Sequence, residues 1–163
     1  MLSPTLLVIE DSTEDVALML SALDKILPRD QVLVLPSGEE ALDYLFTSDQ
    51  RPALGNGSPL RAVILDLNLP GISGLEVLKR IRSQPGTHIL PVIVLSASVE
   101  QRDIRAAARA GANSYVRKSL DHSRLAEAIQ TMARYWLELN VNPFAVSAPQ
   151  PASPRQPWLA PRA

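Results

Sequence analysis

The chain has no cysteine, which removes disulfide frameworks and thiolate zinc sites and fits a reducing compartment. It has no glycine-rich G-x-G-x-x-G or G-x-x-x-x-G-K loop, so the usual phosphate cradles of nucleotide-binding proteins are missing. Its formal net charge is only -1, and no basic patch or helix-turn-helix pattern is present, which argues against a nucleic-acid partner. The only amino-terminal apolar run, Leu6 to Ile9, is ended by Glu10-Asp11. That run is too short for a signal peptide or a membrane span, so a cytoplasmic protein with no membrane partner is expected. No internal repeat is visible. What remains is 163 residues, 46% hydrophobic, enough for one domain with a real core.

The stretch that organises the rest is Val63-Ile64-Leu65-Asp66-Leu67-Asn68-Leu69-Pro70-Gly71. A run apolar on both faces is the pattern of a central parallel strand covered on both sides. In an open parallel sheet, ligands bind beyond the carboxyl ends of the strands, which is where Asp66 falls. A helix-capping role would be the bland alternative. Pro70, Gly71 and Ser73 stand between Asp66 and the next helix, however, so it is badly placed as a cap.

Taken in order, Thr5 to Ile9 reads as a first strand, and Thr13 to Leu27 as a helix with Val16, Met19, Leu20, Leu23 and Leu27 at helical spacing, ended by Pro28. Gln31 to Leu35 is a second strand. Ser37 with Glu40 forms a capping box opening a helix that buries Ala41, Leu42, Leu45 and Phe46. Thr47 to Pro59, rich in proline and glycine, is an extended surface loop before the strand ending at Asp66. Ser73 or Gly74 begins a third helix, broken by Pro85-Gly86. Pro91 to Leu95 is a fourth strand, and Val99 to Ala110 a fourth helix with Gly111 as a left-handed C-cap. Asn113 to Arg117 is the fifth strand, and Asp121 caps a last helix reaching Leu139. Beyond Asn142, six of the 14 prolines and no acidic residue occur, so 143–163 reads as a disordered or loosely packed tail to a domain spanning 1–142. Strands alternating with helices predict an α/β fold: a doubly wound five-stranded parallel sheet with helices on both faces.

The strand ends carry distinct polar sets: Glu10-Asp11, Asp66, Ser96 and Lys118. Isolated carboxylates there would repel and raise one another's pKa. A hard divalent cation such as Mg²⁺ removes that difficulty, because it wants oxygen ligands and keeps several waters. The proposed ligands are Asp11 and Asp66 directly, the carbonyl of Asn68, and Glu10 through water. A metal beside one carboxylate suits hydrolysis or phosphoryl transfer to that carboxylate. Transfer relies on positioning and charge stabilisation, which Lys118 and the Ser96 hydroxyl would supply. Alone, Lys118 would pass for a snorkelling surface lysine and Ser96 for part of a helix cap; their occurrence at the ends of consecutive strands favours function.

With these residues in place, the sequence resembles a response-regulator receiver domain, the CheY-like module that takes phosphate from a histidine kinase. Val8-Ile9-Glu10-Asp11 matches the acidic pocket and Leu65 to Gly71 the acceptor segment. Ser96-Ala97 matches the switch hydroxyl, Tyr115 the switch aromatic, Lys118 the characteristic lysine, and Gly111-Ala112-Asn113 the approach to the fifth strand. The resemblance spans Thr5 to Leu139. It implies the flavodoxin-like strand order 2-1-3-4-5, phosphorylation of Asp66 by a sensor histidine kinase, Mg²⁺ dependence, and coupled movement of Ser96 and Tyr115. It also implies a protein that catalyses its own phosphorylation and dephosphorylation but is not an enzyme with an external product. One departure stands out. Receivers usually carry Lys-Pro with a cis peptide after strand five, whereas this chain has Lys118-Ser119, where a cis bond would cost about 3 kcal/mol. Glu14-Asp15, the long loop before strand three, and Tyr135-Trp136 on the last helix further resemble the single-domain regulators paired with bacterial phytochromes.

Rival readings meet specific obstacles. A pseudo-receiver normally lacks the acceptor or an acidic-pocket residue, and this chain keeps them. An FMN protein needs an anion-accepting loop after strand one, where Glu10-Asp11 would repel phosphate. Aspartyl-intermediate phosphatases place a second aspartate two residues after the first, at the position of Asn68. The last helix adds an expectation of its own. Leu125, Ile129, Met132, Trp136 and Leu139 suffice to pack it, yet Ala126, Ala133 and Leu137 on one flank and Ala128 and Tyr135 on the other widen its apolar arc to about 200°. A homodimer through this helix is expected. The alternative is that the tail, with Phe144 and Trp158, folds back over the excess.

Overall fold

A computed structural model describes residues 4–46 and 60–144. The expected loop Thr47 to Pro59 and the tail from residue 145 onward lie outside the described residues.

Five strands, β1 (Leu6–Ile9), β2 (Val32–Leu35), β3 (Ala62–Leu65), β4 (Val92–Ser96) and β5 (Ser114–Arg117), form one parallel sheet in the order β2-β1-β3-β4-β5. The period-two alternation of side chains divides each buried strand between two layers. Leu6, Val8, Ala62, Ile64, Ile93 and Leu95 face one cluster. Leu7, Ile9, Val63, Leu65 and Val92 face the other. The first is covered by α1 (Thr13–Leu23) and α5 (His122–Arg134), the second by α2 (Gly38–Phe46) and α3 (Gly74–Ser83), with α4 (Gln101–Arg109) beside α3 and β5. β1, β3 and β4 are buried throughout, whereas the edge strands β2 and β5 are only partly covered. The doubly wound fold and its strand order are as expected.

The caps read from the sequence are made. Ser37 Oγ accepts the Glu40 N–H and donates to its carboxylate. Asp121 Oδ1 accepts the N–H groups of Ser123 and Arg124. Gly111 has φ +94°, the left-handed conformation that spares only glycine a steric cost.

Strand ends agree with the sequence expectation to within one residue, and three helix ends differ from it, two in position and one in geometry. Helix α1 ends at Leu23, not Leu27: the Ile26 N–H donates to the Leu23 carbonyl at 2.7 Å, tightening the chain into a turn ahead of Pro28, and Leu27 still reaches the core with its N–H donating to the same carbonyl. Helix α4 starts at Gln101 rather than Val99, since the Ser98 hydroxyl donates to Asp103 and accepts from the Glu100 N–H, holding residues 97–100 in a loop. The last helix reaches Leu139 as expected, but Tyr135–Leu139 is a π-helical turn in which the Asn140 N–H donates to the Tyr135 carbonyl. Its slower rotation per residue exchanges two side chains: Leu137 is buried at 7% exposure, and Leu139, expected in the packing stripe, stands 74% exposed. Ala133 is buried as well, so one expected flank of the spare apolar arc belongs to the core. Phe144 is buried in the α2/α3 layer, on the opposite side of the sheet from α5, and so does not cover that arc.

Candidate functional site

The sheet ladder continues one residue past the strands and sets the site. The Asp66 N–H donates to the Ile9 carbonyl at 3.0 Å, and the Glu10 N–H to the Leu35 carbonyl at 3.1 Å. Glu10 and Asp66 therefore emerge side by side at the carboxyl edge, 1% and 6% exposed. Asp11, the next residue, is exposed, yet its carboxylate converges with theirs: one oxygen from each of Glu10, Asp11 and Asp66 lies within 4.8 Å of the others.

The Lys118 N–H donates to the Ser96 carbonyl at 2.8 Å, fixing the backbone from which the side chain leaves. Its ammonium donates to Glu10 Oε2 at 2.6 Å, Asp15 Oδ2 at 2.8 Å and Asp66 Oδ2 at 3.1 Å. The Lys118–Ser119 peptide is trans, as are all peptides among the described residues, so the lysine reaches the acceptor without the family's cis bond.

Electrostatics follow from this crowding. Burial pushes the Glu10 carboxyl above its ordinary value and the Asp66 charge adds to the rise, while the bonds from Lys118 and from the Ser12 N–H oppose it. For Lys118, burial alone would lower the pKa. The hydrogen bonds to Asp15 and Glu10, with the Asp66 charge, outweigh it and hold the ammonium above its ordinary range. One cation thus stabilises the group that three carboxylates would otherwise disrupt by repulsion.

The loop carrying Asn68 is built tightly. The Asn68 N–H donates to Asp66 Oδ1 at 3.3 Å, and the Gly74 N–H to the Leu67 carbonyl at 3.0 Å. A Cβ at Gly74 would overlap the Asp66 carbonyl and come within 2.7 Å of Leu67 Cα, so only glycine fits beneath the acceptor. Gly71 takes φ +70°, and Glu39 on α2 accepts the Ile72 N–H at 3.0 Å, bracing the loop from outside.

Ser96 is fully buried, and its hydroxyl accepts the Ser98 N–H at 3.2 Å. Tyr115, half-buried, donates its hydroxyl to the Ser98 carbonyl at 3.0 Å. These two residues meet at Ser98 rather than at the carboxylates. Glu10, Asp11, Asp66 and Lys118 are brought together as the sequence indicated. Asp15 was not singled out as a site residue: it lies on the first turn of the helix leaving the acidic pair, and nothing near it in the sequence marks its distant partner Lys118.

The oxygen-only donor set, three converging carboxylates with one exposed, fits a hard divalent cation. No helix among the described residues is long and apolar enough to cross a membrane.

Comparison with known proteins agrees with this geometry. The family model described as "Response regulator receiver domain" matches residues 6–130. The probable methanogenesis regulatory protein FilR2 of Methanothrix harundinacea is 33% identical over 139 residues, covering 85% of this chain and 86% of FilR2. The crystal structure of the phosphorylated cyanobacterial phytochrome response regulator RcpA superposes with a TM-score of 0.77 at 31% identity, covering 87% of this chain and 99% of RcpA. The Mn²⁺-bound form of response regulator Rcp1 gives 0.75 at 30% identity, covering 85% and 97%; Rcp1 is from Synechocystis.

Proposed function

The chain belongs to the response regulator receiver domain family, and on that premise we propose that it is a single-domain, cytoplasmic switch phosphorylated on Asp66 by a sensor histidine kinase of the phytochrome type. A carboxylate oxygen of Asp66 attacks the phosphorus held on the kinase histidine; the new O–P bond forms as the N–P bond breaks, and the electron pair returns to the imidazole. The observation that carries this reading is the meeting of Lys118 Nζ, 3.1 Å from Asp66 Oδ2, with the convergent carboxylates of Glu10, Asp11 and Asp66. Asp11, Asp66 and the Asn68 carbonyl would hold Mg²⁺ directly, with buried Glu10 acting through water. The cation supplies charge neutralisation for the transferring phosphoryl oxygens. Lys118 would donate to the same oxygens, and the protein catalyses only its own phosphorylation and dephosphorylation. The kinase class rests on similarity to the phytochrome response regulator RcpA.

Ser98 supports a switch through Ser96 and Tyr115. Its N–H is bonded to one and its carbonyl to the other, so drawing the Ser96 hydroxyl toward a phosphoryl oxygen removes one of the restraints on the loop that holds Tyr115.

Incubation with acetyl phosphate and Mg²⁺ should add one phosphoryl mass to the wild type and none to Asp66→Asn. Equal phosphorylation of both proteins sinks the acceptor assignment. A structure with beryllofluoride in which Ser96, Ser98 and Tyr115 keep their bonds would sink the switch.

A homodimer is the remaining part of the reading. A groove of about 600 Å³ between β5 and α5 is lined by Val116, Ala128, Thr131, Met132, Tyr135 and Trp136 among others, and Leu139 and Val141, a few residues further along the chain, are 74% and 83% exposed. A second copy of the chain, repeating the patch about a two-fold axis, is the occupant that would bury both.

A further inference from the structure

Two sets of three groups overlap at the site. The carboxylates placed to receive a cation are Glu10, Asp11 and Asp66. Those bonded to the Lys118 ammonium are Glu10, Asp15 and Asp66. Glu10 and Asp66 belong to both, so a divalent cation and the ammonium compete for them. Asp11 is left to the cation alone and Asp15 to the lysine alone.

From this partition we infer that Asp15 is a positioning residue for Lys118, anchoring the ammonium over the acceptor once the cation engages Asp66 directly and Glu10 through water. An ammonium has three N–H donors, and all three are spent on carboxylates in this structure. When the cation binds, the Asp15 bond at 2.8 Å is the one that need not be given up. The two donors released are then free for phosphoryl oxygens, while the third keeps the long side chain from swinging into solvent.

The anchor is itself held. Asp15 sits in the first turn of α1, its N–H donating to the Ser12 hydroxyl, and the Ser12 N–H donates to Glu10 Oε1. Asp15 is thus tied to the same β1–α1 junction that presents Glu10 and Asp11. An anchor suits this loop: Lys118 is followed by Ser119 through a trans peptide, so no proline fixes the direction in which the lysine leaves.

The inference rests on Asp66 being the acceptor, and the test separates the two. Wild type, Asp15→Asn and Asp15→Glu are phosphorylated with acetyl phosphate at saturating Mg²⁺, and the rate is read by intact mass. Asp15→Asn should be slower by about tenfold, the scale of a misplaced catalytic group, and Asp15→Glu should recover most of the rate. A second reading does not depend on turnover. The chain has three lysines, Lys25, Lys79 and Lys118, so ¹³C-labelled lysine resolves the Lys118 ε-methylene. Its two protons should be inequivalent in the Mg²⁺-loaded wild type and in Asp15→Glu, and averaged in Asp15→Asn. Unchanged rate and unchanged inequivalence in Asp15→Asn overturn the inference. So does an equal slowing of both variants with a parallel loss of Mg²⁺ affinity, which would make Asp15 part of the cation site. No phosphorylation of the wild type would instead remove the acceptor reading beneath it.

Discussion

Replacing Lys118 with methionine should make the stability of the fold depend on pH in a calculable way. The methionine keeps most of the buried stem and removes the charge, leaving Glu10, whose side chain is 0% exposed, beside Asp66 without a cation. Removing one partner of a buried ion pair typically costs about 3–5 kcal/mol, because the other charge is stranded. A carboxyl can escape by taking up a proton, and that sets a ceiling. Each pH unit between the solution and the ordinary value of 4.5 costs about 1.4 kcal/mol. The Glu10 share of the loss is therefore at most about 3.4 kcal/mol at pH 7 and about 1.4 kcal/mol at pH 5.5.

The signs are these. Glu10 has a raised pKa in the fold, so its ionisation subtracts stability as pH rises from its ordinary value, and more steeply once Lys118 is gone. Lys118 also has a raised pKa, so its contribution is complete below 10.5 and is lost only as the pH climbs through its folded value. Between pH 5.5 and 7 the lysine term is constant, and the change with pH belongs to Glu10. Urea unfolding of wild type and Lys118→Met without Mg²⁺ should show a stability gap wider at pH 7 than at pH 5.5, by at most about 2 kcal/mol. A gap equal at the two pH values would refute the assignment of Lys118 as the counter-charge of Glu10.

Two further outcomes follow from the packing. Gly74→Ala should lower stability by about 3 kcal/mol, near 10 °C in melting temperature, because its Cβ meets backbone that cannot move without displacing Asp66; a shift of less than a few degrees would count against the close approach. Light scattering over a dilution series should give a dimer at micromolar concentration that Tyr135→Asp with Leu139→Asp dissociates, whereas Leu137→Asp, placed in the core, should unfold the protein instead. A wild-type monomer at that concentration would dispose of the proposed interface.

What was legible in the sequence, and what was not, divides by how far the controlling interaction reaches along the chain. Glu10, Asp66, Ser96 and Lys118 could be placed because each ends or directly follows a strand, and parallel ladders bring strand ends to one edge whatever the connections do. The caps at Ser37 and Asp121 were legible because both partners lie within three residues. Asp15 was not, since its role depends on where the first turn of α1 aims it and on a lysine 103 positions away. The same holds for Leu137 and Leu139. Both are leucines on a helix whose spacing, taken at 3.6 residues per turn, puts Leu139 inward. A hydrogen bond from Asn140 back to Tyr135 widens the final turn, and the Arg61 guanidinium reaches the Asn140 carbonyl at 3.3 Å from 79 residues earlier. No pattern local to the helix encodes that contact. The face that α5 leaves uncovered is therefore set by the chain that ends the helix as much as by the helix itself, and it is this face, with Tyr135 and Leu139 outward, that a second copy would have to recognise.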